Sequence, residues 1–159
     1  TLLRFLNWIP LGYIFETPPG SSYPPICRIV PIAGPFRVEG AGGALEFRPF
    51  EVNHGDVQAL GFRIPAPAGG IVYLPDVLAI PEAAWPVIAG AEVFVCDALR
   101  RRPHPSHAHL ALALDWIARS GCAQGVITNM HYDLDHDAVM AETPANVIPA
   151  HDGLVLHLA

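Results

Sequence analysis

The sequence predicts an α/β fold built on a mixed sheet, and three observations support it. Hydrophobic residues make up 52% of the 159 residues and charged residues 15%, which is enough apolar material for one core. The 17 prolines and 14 glycines divide the chain into short elements. Segments typical of hairpins come first, and a β-α-β-α-β order follows, which favours a mixed sheet covered by helices.

The first half is predicted to form mainly antiparallel strands. Apolar or alternating segments typical of strands occupy Leu11–Thr17, Ile26–Ile32, Leu45–Val52, Val57–Ile64 and Ile71–Leu74. Glycines at 40–43 predict a turn, and residues 65–70 predict the turn of a hairpin. We therefore expect a β-hairpin region over about residues 11–75.

The second half alternates strands and helices over about residues 76–158. Short apolar runs at Val93–Cys96 and Val126–Thr128 are typical of buried strands. Ser106 is predicted to cap a helix that ends at Gly121. The remaining predicted elements are helices over Pro81–Ala89 and Asp137–Glu142, the latter capped by Asp135, and a strand over Leu154–Leu158. Such a sheet, with helices on one face, would leave its other face apolar and bare.

Composition excludes several classes of function. The net charge of −6 and the lack of a basic run longer than Arg100-Arg101-Arg102 argue against nucleic-acid binding. No apolar stretch reaches the roughly 18 residues of a membrane span. The cysteines are Cys27, Cys96 and Cys122, with no CxxC pair, and they are expected to be buried free thiols of a cytoplasmic protein.

Polar side chains follow the predicted strands at several places. His54 ends one strand, Asp76 ends an apolar one, and His131 lies in a dense polar cluster after another. His107 would lie in the first turn of the predicted helix. Each has a plainer interpretation: a turn histidine for His54 and His107, a helix cap for Asp76, and a solvated loop for His131. The combination favours chemistry, because the ends of successive strands assemble sites in such sheets.

Nitrogen and oxygen ligands spread over strand ends are typical of a dinuclear hydrolytic site. Such ligands suit Zn²⁺ or Mn²⁺. Two ions of this kind lower the pKa of a bridging water and stabilise an oxyanion.

The motifs resemble those of the metallo-β-lactamase superfamily, in particular the PhnP-like phosphodiesterase branch, with ribonuclease Z as a more distant relative. The resemblance covers roughly residues 13–158. The matching motifs are His54-Gly55, Tyr73-Leu74-Pro75-Asp76, Cys96-Asp97-Ala98-Leu99-Arg100, His104-Pro105-Ser106-His107, Thr128-Asn129-Met130-His131 and Ala150-His151-Asp152-Gly153.

The resemblance implies an αββα sandwich, of which residues 1–159 would be the C-terminal half, with two divalent metal ions between its sheets. It implies His54 as a metal ligand, Asp76 as the bridging and catalytic carboxylate, and His131 as the last ligand. His107 resembles the general acid of this branch. The substrate implied is a small cyclic ribose phosphate, of the phosphoribosyl 1,2-cyclic phosphate type, from phosphonate breakdown.

Two departures qualify these expectations. The family motif His-x-His-x-Asp-His is absent from the sequence, so we expect an incomplete domain with weak or no metal binding. Thr128-Asn129 stands where relatives commonly have Thr-His, which leaves the last ligand open between Asn129 and His131. A ribonuclease Z-like enzyme, a (thio)esterase of the same fold and a non-catalytic module stay as alternatives, and a homodimer stays open.

Overall fold

The computed structural model describes residues 14–17, 20, 22, 24–28 and 30–159. The chain divides into two compact units, Thr1–Ala33 and Gly34–Ala159. In the first unit, none of the described residues lies in a strand. Its described main-chain hydrogen bond runs from the amide of Cys27 to the carbonyl of Ile14, at 2.7 Å.

The two strands predicted in this unit are not observed where the structure describes it. Residues 14–17 of the predicted strand Leu11–Thr17 form no strand, and residues 11–13 lie outside the described residues. The strand predicted at Ile26–Ile32 is wrong for its described residues, which exclude residue 29. Pro24, Pro25 and Pro31 lack the N–H that a ladder needs, which explains why an apolar segment between them does not pair.

The second unit carries a seven-stranded sheet in the order β1 to β7, so neighbours in the chain are neighbours in the sheet. The strands β1 to β4 pair in antiparallel fashion, and β4 to β7 pair in parallel. The predicted mixed sheet is therefore confirmed. The bounds are β1 Phe36–Gly40, β2 Gly43–His54, β3 Val57–Ile64, β4 Ile71–Leu74, β5 Val93–Asp97, β6 Gln124–Thr128 and β7 Val147–Pro149.

Neither edge strand of this sheet, β1 or β7, was predicted from the sequence. The strand β1 pairs Phe36 with Phe47 and Gly40 with Gly43, across the turn that the glycines predicted. The strand β7 is only three residues long, too short for its alternation to be read. The strand expected at Leu154–Leu158 is absent, because these residues follow a turn at Asp152–Gly153 and have no ladder partner among the described residues.

Three α-helices occupy the described part of the second unit: α1 Trp85–Ile88, preceded by a 3₁₀ turn at Glu82–Ala84, α2 Leu110–Ser120 and α3 His136–Glu142. The predicted cap at Ser106 is wrong, because α2 begins only after His109, which makes no side-chain capping bond. Gly121 ends α2 as predicted, with a left-handed φ of 67°. Asp135 caps α3 by accepting from the amide of Ala138 at 2.9 Å.

The core lies on one face of the sheet. Along β4, Val72 and Leu74 are fully buried, whereas Tyr73 between them is 41% exposed. Phe94 and Cys96 of β5 and Ile127 of β6 continue the same face. Val93 and Val126 are buried on the opposite face, and Ile117 of α2 packs over Gly125 of β6. Cys96 and Cys122 are buried free thiols as expected, but Cys27 is exposed. No helix that the structure describes is long and apolar enough to cross a membrane.

Gly61 in the middle of β3 is required by packing. It pairs with Phe50 of β2, and a Cβ at this position would overlap the side chains of Leu74 and Phe50. The side chains of Leu74 and Phe50 fill the space that a Cβ of Gly61 would occupy.

We predict that Gly61→Ala lowers the free energy of unfolding by about 1–3 kcal/mol, because the methyl group overpacks a filled site. Urea unfolding followed by circular dichroism measures this change. Gly42→Ala is the matched control: a Cβ there meets nothing within 4 Å, and the expected change is within about 0.5 kcal/mol. Equal effects of both substitutions would contradict the packing.

Candidate functional site

The candidate site lies where the parallel strands end. Asp76 follows β4 by two residues, Asp97 is the last residue of β5, and Asn129 directly follows β6. The segment after Asp76 crosses back to β2, where the carbonyl of Asn53 accepts from the amides of Leu78 and Ala79. This crossing brings the end of β2, with His54, to the same edge.

His54 is fixed by a main-chain contact with the loop that precedes α2. Its Nδ1 lies 2.7 Å from the carbonyl oxygen of Ser106. Because a carbonyl only accepts hydrogen bonds, Nδ1 carries the proton and Nε2 keeps a free lone pair. This is the arrangement in which a histidine is held for metal ligation.

Gly55 makes that contact geometrically accessible. It adopts a left-handed φ of 67°, and a Cβ would lie 3.0 Å from the carbonyl oxygen of Pro105 and 3.0 Å from Cβ of Ser106. The glycine after His54 therefore does more than turn the chain. It allows the loop containing Ser106 to rest directly on the end of β2.

Asp97 is the central polar residue of the site. Its side chain is 0% exposed. Because burial of an ionised carboxylate is costly unless it accepts hydrogen bonds, Asp97 needs donors around it. Three donors meet it: the amide of Val77 at 3.2 Å, Nδ1 of His107 at 2.8 Å and Nδ2 of Asn129 at 3.1 Å. Burial raises the pKa of Asp97, and these hydrogen bonds oppose the rise.

Asp97 was not among the predicted site residues, although it lies in one of the motifs that carry the family resemblance. The available signal was the one that singled out Asp76: a carboxylate ending an apolar strand, which is costly to bury without partners.

His107 is hydrogen-bonded through its ring nitrogen Nδ1. Its Nδ1 donates to Asp97, and only 16% of its side chain is exposed. The same nitrogen lies 3.9 Å from Oδ1 of Asp76, whose side chain is 52% exposed. The ring meets that of His54 edge-on, with centroids 4.5 Å apart. His107 precedes α2 instead of lying in its first turn.

Three predicted residues converge. Ligand atoms of His54, Asp76 and His107 all lie within 4.8 Å of one another, and this is the group of potential metal ligands found among the described residues. Two imidazoles and a carboxylate form a donor set that suits Zn²⁺ and similar divalent ions.

The two residues left open for the last ligand lie in different places. Asn129 lies inside the site, with Nδ2 bonded to Asp97 and 3.4 Å from Nδ1 of His107. His131 is not in the group of converging ligands. Its Nδ1 lies 3.3 Å from Asp133, its side chain is 48% exposed, and its ring lies beside that of Tyr132.

Comparison with known proteins gives matches over most of the chain. A family model described as the Beta-lactamase superfamily domain matches residues 11–132. The octanoyltransferase of Porphyromonas gingivalis (strain ATCC BAA-308 / W83) is 26% identical over 148 residues, which make up 91% of this chain and 28% of that protein.

Solved structures share the fold. The crystal structure of a new diphosphatase from the PhnP family has a TM-score of 0.72 and 28% identity, covering 84% of this chain and 49% of that chain. Zn²⁺-bound PqqB from Methylobacterium extorquens has a TM-score of 0.63 and 18% identity, covering 82% of this chain and 56% of that chain.

The chain thus spans about half the length of these solved structures and about a quarter of the octanoyltransferase. The family model covers more than half of this chain. It matches residues that include His54, Asp76, Asp97 and His107, which the fold brings to one edge of the sheet. The chain therefore belongs to the metallo-β-lactamase superfamily.

Proposed function

We propose that the chain carries part of the active site of a metal-dependent phosphodiesterase acting on a cyclic ribose phosphate. The observation that carries this proposal is the convergence of ligand atoms from His54, Asp76 and His107 within 4.8 Å. The likeness to a PhnP-family diphosphatase supports phosphorus chemistry.

The residues present fit a divalent ion. With Nδ1 of His54 bonded to a carbonyl, its Nε2 is the atom available to a metal ion, and the carboxylate of Asp76 is exposed. Ligand atoms of the two residues lie within 4.8 Å of each other. Ligand atoms bound to one ion lie about 3–4 Å apart, so a spacing of 4.8 Å would have to shorten by about 1–2 Å. When bound, such an ion would lower the pKa of the attacking water and stabilise negative charge on the phosphoryl oxygens.

We propose His107 as the general acid. With Nδ1 donating to Asp97, the ring points Nε2 away from the buried carboxylate, where it can give a proton to the leaving oxygen of the substrate. A buried carboxylate at Nδ1 fixes the tautomer and the orientation of the imidazole, as in hydrolytic His–Asp pairs. Asp97 therefore acts as the positioning residue for His107.

A (thio)esterase is the second candidate. The observation that favours it is the match to a protein named octanoyltransferase, over 91% of this chain. Since a fold does not fix the substrate, the site at this edge of the sheet is compatible with an acyl ester as well as with a phosphodiester.

The two candidates differ in the substrate that the metal-loaded protein hydrolyses. We expect Zn²⁺- or Mn²⁺-dependent release of product from a ribose cyclic phosphate or from bis(p-nitrophenyl) phosphate, and little from octanoyl thioester. Addition of EDTA should abolish the activity. Faster hydrolysis of the thioester than of both phosphodiesters would favour the second candidate.

His54→Ala and Asp76→Asn should each weaken Zn²⁺ binding by on the order of 100-fold or more, because each removes a ligand at a site that has few. Isothermal titration calorimetry measures the affinity. Asp115→Asn, at an exposed position of α2, is the matched control for the change of charge and should leave the affinity unchanged. Unaltered Zn²⁺ binding in both site variants would refute the assignment of the ligands.

His107→Gln separates proton donation from metal ligation. If His107 is the general acid, hydrolysis falls by on the order of 10²–10⁴-fold while the Zn²⁺ affinity changes little. A substrate with a p-nitrophenolate leaving group, which needs little protonation, should lose much less activity. A large loss of Zn²⁺ affinity would instead assign His107 as a metal ligand.

A further inference from the structure

Asn129 has an unusual main-chain conformation at the edge of the candidate site. Its φ of 60° makes it the one non-glycine residue with a positive φ in the described part of the chain. Asparagine and histidine tolerate this left-handed region better than most residues. The conformation turns the side chain of the residue after β6 inward, toward Asp97 and His107.

The orientation of the Asn129 amide follows from its partner. Oδ1 of Asp97 lies 3.1 Å away and, as a buried carboxylate oxygen with a histidine partner at Oδ2, it accepts hydrogen bonds. The atom facing it must be the amide nitrogen. That nitrogen is also the atom 3.4 Å from Nδ1 of His107. An amide nitrogen has no free lone pair, so the atom nearest the cluster does not bind a metal ion.

His131, the other candidate for the last ligand after β6, makes its contacts outside the candidate site. The amide of His131 donates to the carbonyl of Leu99, and its ring lies between Asp133 and Tyr132 with half of the side chain exposed. The end of β6 therefore contributes neither an imidazole nor a carboxylate to the group formed by His54, Asp76 and His107.

We propose that Asn129 withholds a metal ligand from this site and serves as a positioning residue for the Asp97–His107 pair, so that this chain holds at most one divalent ion. The inference rests on the proposed metal site. A second ion would need ligands of its own, and about four are usual per ion. Asn129 instead donates to the carboxylate that fixes the general acid.

The test is Zn²⁺ titration of the 159-residue chain and its variants by calorimetry, with the metal content counted by mass spectrometry. Wild type should bind no more than one ion. Asn129→His, which the left-handed φ tolerates, should bind Zn²⁺ at least about tenfold more tightly or hold an additional ion. Asn129→Gly keeps the main chain and removes the amide, and it should show no such gain. Thermal unfolding checks that each variant is folded.

His131→Ala should leave Zn²⁺ binding unchanged, which separates the two residues after β6. Two ions in wild type, a loss of affinity in His131→Ala, or no gain in folded Asn129→His would overturn the inference and leave the proposed hydrolase intact. A complete lack of Zn²⁺ binding in wild type and in Asn129→His would overturn the metal site as well.

The positioning role of Asn129 can be tested separately in the metal-free protein, through the state of the His107 ring. Nuclear magnetic resonance of ¹⁵N-histidine distinguishes the two neutral tautomers of His107. Wild type should show the proton on Nδ1, and Asn129→Asp, which places a carboxylate against Asp97, should change the signals of His107 while those of His136 stay in place. Unchanged His107 signals in Asn129→Asp would refute the positioning role.

Discussion

The hydrogen bonds of one buried carboxylate hold the site together. Asp97 closes β5 with no exposure to water, and its three donors come from three different segments: the crossing after β4, the loop before α2 and the end of β6. Removal of the carboxylate would leave these donors unsatisfied, at a cost of about 1–3 kcal/mol for each that stays buried. The relative placement of these segments is thus tied to one side chain.

The sheet explains why these segments meet. The chain order equals the sheet order from β1 to β7, and β4, β5 and β6 run in parallel, so their carboxyl ends lie side by side. The return of residues 77–79 to Asn53 adds the end of β2 to this edge. Residues separated by more than 70 positions, such as His54 and Asn129, are thereby brought to the same edge of the sheet.

Much of this could be predicted from local signals. The strands β3 and β4, the helical stop at Gly121 and the cap at Asp135 each depend on a few adjacent residues, and the structure has them where the sequence placed them. His54 and Asp76, which the sequence singled out at the ends of predicted strands, lie close together in the structure, with ligand atoms within 4.8 Å of each other. The short edge strand β7 was missed because three residues are too few to show an alternation. The start of α2 was missed because the capping signal at Ser106 is not used, and the helix begins after His109.

The placement of the side chains of Asp97, Asn129 and His131 relative to the site could not be predicted from the sequence for a related reason. A strand end fixes which residues reach the edge of the sheet, but a single dihedral angle decides which of them turns inward. The left-handed φ of Asn129 directs this residue into the site, while the turn that follows carries His131 to Asp133. No periodicity or composition encodes that choice.

The contact between Gly55 and the loop at residues 105–106 has a consequence for how this scaffold can diversify. Gly55 packs directly against residues 105–106 there, so the spacing between the chain segments that carry His54 and His107 is set by this packing. Insertions or replacements that move this loop away from Gly55 would separate the rings of His54 and His107. They would also remove the carbonyl of Ser106 that orients the ring of His54. Residues 101–103, which precede the contact and are exposed, do not take part in it. The outer part of the loop can therefore vary with less effect on this contact than residues 105–106, which pack directly against Gly55.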